Sequence, residues 1–287
     1  MTDLVSSRRA YAQTIATAAG ITTPGLVEAL ATVQRERFLR PGPWLVIGAA
    51  DAKRPPQWTA DDDPAHVYQD ASVAIDPDRQ LFNGAPSFLA KMIDNLSLVP
   101  GSRVLHVGAG LGYYSALMAH ITGPTGRVVA VEVDLALAAE ARRNLASMPW
   151  VEVRHNDGTE ADGPFDAILV NAGVTHPQDS WLDALASGGR LLLPLTVAMP
   201  GMGASIGKGV MLMIRLTPDG EFVPEVRSFV AIYSAIGLRD ATVEASLGQA
   251  MRRTSFPNLT RLRRDPHPNS DGCWLHIDGC CLSMEPT

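Results

Sequence analysis

Two hydrophobic periods alternate along this chain, and they divide it into predicted elements. Between residues 3 and 40 apolar side chains recur at helical spacing: Leu4, Ala10, Tyr11, Ile15 and Ala18, then Leu26, Ala29, Leu30 and Val33. Thr22-Thr-Pro-Gly25 interrupts the run, so two helices are predicted. Residues 41–66 are rich in Pro, Asp and Ala, with Arg54-Pro-Pro56 and Asp61-Asp-Asp-Pro64. They predict an irregular surface excursion of the lid type. The period becomes helical again over 86–98, as an amphipathic helix. After residue 100, short apolar runs take over: Val104 to Val107, Arg127 to Val133, Val151 to His155 and Pro164 to Asn171. Runs of this length separated by helix-sized segments predict buried parallel strands in an α/β fold. Ala184 to Leu195 reads as a helix end, a Gly188-Gly189 stop and a fifth strand. Val210 to Leu216, the turn Thr217-Pro-Asp-Gly220, and Phe222 to Tyr233 predict an antiparallel hairpin.

The first run ends in Gly108-Ala109-Gly110-Leu-Gly112, followed by Tyr113 and Tyr114. Glycines between a strand and a helix permit unusual backbone angles and let a ligand lie against bare main chain. Glu132 follows Gly112 by twenty residues, with Val133 beside it, at the end of the next run. A carboxylate there suits the two hydroxyls of a ribose. A nucleoside cofactor is therefore expected. The dinucleotide fingerprint G-x-G-x-x-G wants a small residue where Tyr113 stands, and here the third glycine comes one place early. The pattern suits S-adenosylmethionine better, because that cofactor has no pyrophosphate to seat on a helix N-terminus. Asp157, in Asn156-Asp157-Gly158, can accept from an adenine amino group, or can simply close an Asx-type turn. Asn171 can cap or touch the cofactor. One of Tyr113 and Tyr114 is expected to pack in the core and the other to approach the cofactor.

These residues together resemble the protein-L-isoaspartate O-methyltransferase family of class I S-adenosylmethionine-dependent methyltransferases. The likeness runs from about Leu26 to Leu195. It is carried by Val33-Gln-Arg-Glu-Arg-Phe-Leu39, Tyr68-Gln-Asp70, Leu98-Val-Pro-Gly-Ser-Arg-Val-Leu105, Val107 to Tyr113, Asn156-Asp-Gly158, Phe165-Asp-Ala-Ile168 and Gly188 to Pro194. The resemblance implies a doubly wound, seven-stranded Rossmann-like methyltransferase sheet, mostly parallel with an antiparallel edge hairpin. N-terminal helices and a C-terminal extension would flank it. Residues 1–98 would form a helical and lid region contributing to the substrate site, 99–236 the cofactor-binding core and 237–287 the extension. Cofactor contacts are implied at Gly108, Gly110, Glu132 and Asp157. Ala109, Gly112, Tyr113, Tyr114, Val133, Gly158 and Asn171 complete the candidate set.

The family places a serine beside the transferable methyl in a Thr-x-Ser-x-Pro element. Here that segment is Arg79-Gln-Leu-Phe-Asn-Gly-Ala-Pro86, which puts Gly84 at the serine position with Asn83 beside it. An amide can still donate to a carboxylate, but the hydroxyl is gone. On the substrate side the candidates are therefore Asn83, Gly84 and, after the fourth strand, His176, which could orient a substrate or act as acid or base. The resemblance implies O-methylation of a carboxylate of a protein or peptide. A small-molecule acceptor, a non-catalytic cofactor-binding module and a nicotinamide oxidoreductase are the competing readings; Tyr113 argues against the last.

Composition narrows the partners. The net charge is −6 with no long basic run, so neither nucleic acid nor an anionic membrane is expected. No apolar run approaches the ~18 residues of a membrane span, and the N-terminus lacks the apolar stretch of a signal peptide. Three cysteines, all between Cys273 and Cys281, fit a reducing, cytoplasmic setting. Cys273, His276, Cys280 and Cys281 match no closed four-ligand spacing, and no metal is expected. His66, His106, His120 and His155 are read as structural. Arg252-Arg253 and Arg261-Leu-Arg-Arg264 read as a solvated face.

Overall fold

The computed structural model describes residues 3–51, 54–199 and 205–285. The chain begins with helices α1 (Leu4–Ala19) and α2 (Pro24–Thr32). Strands β1 (Leu45–Gly48), β2 (Gln57–Trp58), β3 (Ala71–Asp76) and β4 (Leu81–Phe82) follow, then α3 (Pro86–Asn95). The central alternation is β5 (Arg103–Val107), α4 (Tyr113–Thr122), β6 (Arg127–Glu132), α5 (Leu135–Asn144), β7 (Val151–His155), β8 (Phe165–Val170), α6 (Asp179–Asp183) and β9 (Leu185–Ala198). Strands β10 (Ile206–Leu216) and β11 (Phe222–Tyr233) come next, then α7 (Ala241–Arg253). Strands β12 (Arg261–Arg263), β13 (Cys273–Ile277) and β14 (Cys280–Ser283) end the chain. Two compact units result: Met1–Ser102 with Ala109–His155, and Arg103–Gly108 with Asn156–Thr287.

In the first unit the predicted helical pair forms where the punctuation placed it. Asp3 caps α1 by accepting from the Val5 amide, and Gly20 ends it in a left-handed conformation at φ 57°. Pro24 opens α2, where its missing amide hydrogen costs nothing. The break between them is pinned to α3. Buried Asp94 accepts from the Thr22 and Thr23 amides at 3.1 and 2.9 Å. Parallel strands β6 and β7 pair from Val128↔Val151 to Glu132↔His155.

The excursion over 41–66 carries, among its described residues, the two short strands β1 and β2. β1 pairs antiparallel with β2 and with β3, and β3 pairs with β4. The strands are too short to show a period among the prolines and aspartates. A small apolar cluster, Trp44 with Val67 and Val73, backed by Leu39, Val46 and Tyr68, holds them. Arg35 is wholly buried against the same segment. Its Nη1 donates to the carbonyls of Val67 at 2.7 Å and Gln69 at 3.2 Å, and its Nη2 to that of Ala71 at 2.7 Å. Two stretches of the family resemblance, Val33–Leu39 and Tyr68–Asp70, therefore meet through one guanidinium.

The second unit holds parallel strands β5, β8 and β9, continued antiparallel by β10 and β11. With β6 and β7, this makes the seven expected strands. The antiparallel side then goes further: β12 pairs β11, β14 pairs β12 and β13 pairs β14. One expectation fails here. Gly188-Gly189 does not stop a helix, because α6 has already ended at Asp183 and β9 starts at Leu185. The pair lies inside β9, where the register against β8 slips between Phe165 and Ala167 and Gly188 takes φ 79°. The glycines absorb a bulge in a long strand. Among the described residues no helix is long and apolar enough to cross a membrane.

Asp94 offers a test of the N-terminal packing. Burial opposes its charge, but the donors from Thr23 and Thr22 and the nearby Lys91 outweigh burial, so the carboxyl is held below its usual value. A depressed folded pKa stabilises at neutral pH and loses that contribution as pH falls from about 4 through the folded value. Asp94→Asn is expected to cost about 1–3 kcal/mol at pH 7 in urea unfolding. Its deficit against wild type should shrink below about pH 4. An equal deficit at both pH values would contradict this account.

Candidate active site

In the first unit the glycine turn is tied down by a single carboxylate. Glu132, only 7% exposed at the end of β6, accepts the Gly110 amide on Oε2 at 2.8 Å and the Asp134 amide on Oε1 at 3.0 Å. The turn is also held by main chain: the Ala109 amide donates to the Val131 carbonyl at 3.0 Å, and the Gly112 amide to that of Ala109 at 3.0 Å. Gly112 takes φ 96° at the head of α4, and a Cβ there would lie 2.8 Å from Leu145. Only glycine meets both demands. Leu111 between them packs on Ile75 and Leu137, which joins the turn to β3 and α5. Each carboxylate oxygen of Glu132 has lone-pair capacity beyond its one amide, so the group can both shape the turn and accept from a ribose. Val133 follows it, and its carbonyl lies 3.1 Å from the His155 Nε2.

Tyr113 and Tyr114 are both buried at the start of α4. The expected division, one in the core and one at the surface of a cofactor site, does not appear as a difference in exposure. The Tyr113 hydroxyl lies 3.4 Å from that of Tyr11, and the Tyr114 hydroxyl donates to the Gly84 carbonyl at 3.1 Å. Burial pushes all three phenols above their usual range, so they serve as neutral hydrogen-bonding groups. The Arg35 guanidinium lies 5.9 and 5.7 Å from the Tyr11 and Tyr113 rings.

Through Tyr114 the glycine turn is coupled to the segment carrying Asn83 and Gly84. There the Val73 amide donates to Asn83 Oδ1 at 2.9 Å, and the Asn83 amide to the Val73 carbonyl at 2.9 Å. The carbonyl end of the Asn83 side chain is thus committed to β3, and its NH2 end is the part able to donate to a carboxylate. Gly84 takes φ 81°, and a Cβ on it would lie 2.9 Å from Leu89 Cδ2. Sequence reasoning missed Arg79. Its guanidinium bridges Asp76 and Asp134 at 2.7 Å each, tying this segment to the α5 cap that Glu132 also holds. Only contacts far apart in sequence assign Arg79 that role.

The second unit carries the other candidates. A Cβ on Gly108 would lie 3.2 Å from the Asn171 carbonyl, and the Asn171 amide donates to the Val107 carbonyl at 2.8 Å. The backbone of β5 and the loop after β8 therefore approach as closely as glycine allows. Asn156 Oδ1 accepts the Gly158 amide at 3.0 Å, and Asp157 closes its own Asx-type turn by accepting the Thr159 amide at 3.0 Å. Gly158 presses on Val107, which a Cβ would meet at 2.6 Å, and its carbonyl accepts from Trp181 Nε1 at 2.7 Å. Asp157 Oδ1 takes the amide and hydroxyl of Thr159, and these bonds hold the carboxyl below its usual value. Oδ2 takes no part in those two bonds and can accept.

His176 lines a cleft of about 390 Å³, with Gln178, Asp179, Asp240 and Cys280 on its walls. Thr175 Oγ1 accepts the Asp240 amide at 3.1 Å and lies 3.0 Å from His176 Nδ1. The Gln178 side-chain amide donates to His176 Nε2 at 3.3 Å, which places the ring proton on Nδ1, where it donates to the Thr175 hydroxyl. Burial lowers the His176 pKa, against the pull of Asp240 and Asp179, and keeps the ring neutral near pH 7.

Two outcomes check this geometry. Glu132→Gln should weaken S-adenosylhomocysteine binding by about 1.5–3 kcal/mol in calorimetry; unchanged affinity would place the ribose elsewhere. Gly84→Ser, which restores the family's residue type, should cost about 1–2 kcal/mol in urea unfolding because of its positive φ. A neutral effect would show that the loop accommodates a side chain freely.

Comparison with known proteins agrees with these features. The Protein-L-isoaspartate(D-aspartate) O-methyltransferase (PCMT) family profile matches residues 55–214. A protein-L-isoaspartate O-methyltransferase of Methylorubrum populi is 33% identical over 246 residues, covering 83% of this chain and 99% of the relative. One of Aeropyrum pernix is 32% identical over 206 residues, covering 70% and 68%. Among solved structures, a protein-L-isoaspartate O-methyltransferase aligns over 90% of this chain and 72% of its own, at TM-score 0.64 and 22% identity. A Plasmodium falciparum protein described as a beta-aspartate methyltransferase, in complex with S-adenosyl-L-homocysteine, aligns over 80% and 98%, at TM-score 0.58 and 18% identity. The chain belongs to the protein-L-isoaspartate(D-aspartate) O-methyltransferase family and is an S-adenosylmethionine-dependent methyltransferase.

Proposed function

We propose that this enzyme methylates a carboxylate of isoaspartyl type in a protein or peptide. The reading rests on one observation above all: the Glu132 carboxylate sits under a glycine turn in a chain that matches an isoaspartate methyltransferase of M. populi over nearly its whole length. In this reading Glu132 accepts from the ribose hydroxyls, and the backbone at Gly108, Ala109, Gly110 and Gly112 meets the cofactor at close range. Asp157 Oδ2 accepts from the adenine amino group. Val133, Gly158 and Asn171 line the nucleoside, and Tyr113 and Tyr114 hold the turn in shape. Residues 1–98 contribute the acceptor side and 99–236 the cofactor side. The free thiols of Cys273, Cys280 and Cys281 are consistent with a cytoplasmic setting.

S-adenosylmethionine supplies, when bound, an electrophilic sulfonium methyl. The acceptor carboxylate is ionised at neutral pH, since such groups titrate near ~4. The protein then needs no general base. Its task is to align the acceptor oxygen with the methyl carbon and sulfur and to exclude water, which can supply much of the barrier reduction. The NH2 end of Asn83, on a loop braced by Tyr114 and Arg79, donates to the acceptor carboxylate in place of the family's serine hydroxyl. Neutral His176, held between Thr175 and Gln178, orients its cleft rather than storing a proton.

The test is labelled-methyl transfer to an isoaspartyl peptide and to its ordinary aspartyl twin. The isoaspartyl peptide should be preferred by tenfold or more, on the order expected where a site is built to hydrogen-bond its acceptor. Methylation of neither, with S-adenosylhomocysteine still bound, would favour a small-molecule acceptor or a non-catalytic role. Calorimetric binding of NAD in place of S-adenosylhomocysteine would overturn the cofactor assignment.

A further inference from the structure

The C-terminal extension brings together four side chains that their spacing does not connect. His267, Cys273, His276 and Cys281 each present one ligand atom, and these atoms all lie within 4.8 Å of one another. The backbone explains how. β13 and β14 form a hairpin closed at Asp278-Gly279, with Gly279 at φ 71°. His276 pairs directly with Cys281 across it, so the two share a face. In an unbroken strand Cys273 and His276, three apart, would face opposite sides. The ladder slips between Cys273 and Leu275, and that irregularity returns Cys273 to the side of His276. His267 arrives from the preceding loop, its ring edge-on to that of His276 with centroids 4.8 Å apart. Its Nε2 lies 3.9 Å from the Cys273 sulfur.

The hydrogen bonds favour a cation. His267 Nδ1 is 2.7 Å from the Asp265 carbonyl, an acceptor, so Nδ1 carries the hydrogen and the Nε2 lone pair faces the sulfur. Metal-binding imidazoles are ordinarily held in this way through their other nitrogen. His276 Nδ1 is buried and has no hydrogen-bond partner among the described residues. A buried ring nitrogen with no partner is costly unless something else takes its lone pair or its hydrogen.

We propose that His267, Cys273, His276 and Cys281 bind one structural zinc ion. Two sulfurs and two imidazole nitrogens are a tetrahedral donor set suited to zinc, and unsuited to calcium or magnesium, which take oxygen. Zinc–sulfur bonds of about 2.3 Å and zinc–nitrogen bonds of about 2.0–2.1 Å put neighbouring donors roughly 3.3–3.8 Å apart. The 3.9 Å from Cys273 to His267 is already near that edge, and the rest needs only small side-chain rotations. On binding, the two thiols lose their protons to solvent and the imidazoles bind neutral. Four protein donors leave no open position, so the ion is structural. It would clasp the 265–272 loop to the hairpin that ends the sheet. Cys280, on the other face of β14, is excluded from the set and lines the His176 cleft with Ile277 and Asp278. The ion therefore fixes one wall of that cleft.

The full-length protein, expressed with zinc and dialysed, should carry about one zinc per chain by elemental analysis. Cys273→Ser, Cys281→Ser and His267→Ala should each reduce this by tenfold or more, and Cys280→Ser should not. If the variants fail to fold, cobalt(II) added alone to metal-stripped wild type decides: the intense visible bands of a tetrahedral thiolate site are expected, with Cys273 and Cys281 protected from alkylation. Zinc retained by both Cys273→Ser and Cys281→Ser, a Cys273–Cys281 disulfide in the isolated protein, or neither zinc uptake nor a cobalt spectrum in wild type would overturn the site.

Discussion

The carboxylate of Glu132 is the constraint on which the glycine turn of this protein depends. A turn with glycines at 108, 110 and 112 has many conformations open to it, and three of those residues lie at positive φ. Freedom of that kind is expensive to remove on ligand binding. Glu132 removes it in advance by taking the Gly110 amide on one oxygen and the Asp134 amide on the other. The second bond also sets the cap of α5, because Asp134 in turn accepts from Ala136 and Leu137. One buried charge thus orders a strand end, a ligand turn and a helix start. Its solvation is replaced by backbone amides, which is what allows it to be buried at all.

A second network organises the segment carrying Asn83 and Gly84 by the same logic with the opposite sign. Arg35 buries a guanidinium among the carbonyls of Val67, Gln69 and Ala71 and beside the rings of Tyr11 and Tyr113. These carbonyls belong to the approach to β3, and β3 holds Asn83 through paired main-chain and side-chain bonds. Tyr114 and Arg79 add links from this segment to α4 and to the α5 cap. The loop with Gly84 is therefore braced at several points, although its family hydroxyl is missing. Rigidity of the supporting frame matters more than any one polar group where the chemistry is an in-line transfer to an already ionised oxygen.

The sequence showed some of this directly and concealed the rest for physical reasons. Leu4–Ala19, Pro24–Thr32 and Pro86–Asn95 are long enough for the helical period to stand out, and their breaks carry Pro or Gly. β5, β6 and β8 stand out because nearly every position in them is buried and most are apolar. By contrast, β1 and β2 are only four and two residues long, and no period survives that length. Gly188-Gly189 looks like a helix stop because the same residue serves bulges and caps equally well. The cluster of His267, Cys273, His276 and Cys281 is invisible in linear spacing because a register slip between Cys273 and Leu275 resets which side chains share a face. Cys280, adjacent in sequence, faces away.

Local chemistry thus determined the alternation of strands and helices, the glycine turn and the acidic residue after the next strand, because backbone freedom, periodicity and short-range spacing are properties of the chain itself. That was enough to identify a methyl donor. The tertiary structure alone decided that Glu132 holds the glycine turn, that Arg35 and Arg79 brace the segment carrying Asn83 and Gly84, and that four side chains of the extension converge. Each of these depends on contacts between residues brought together by strand register and burial, and a linear pattern does not encode register.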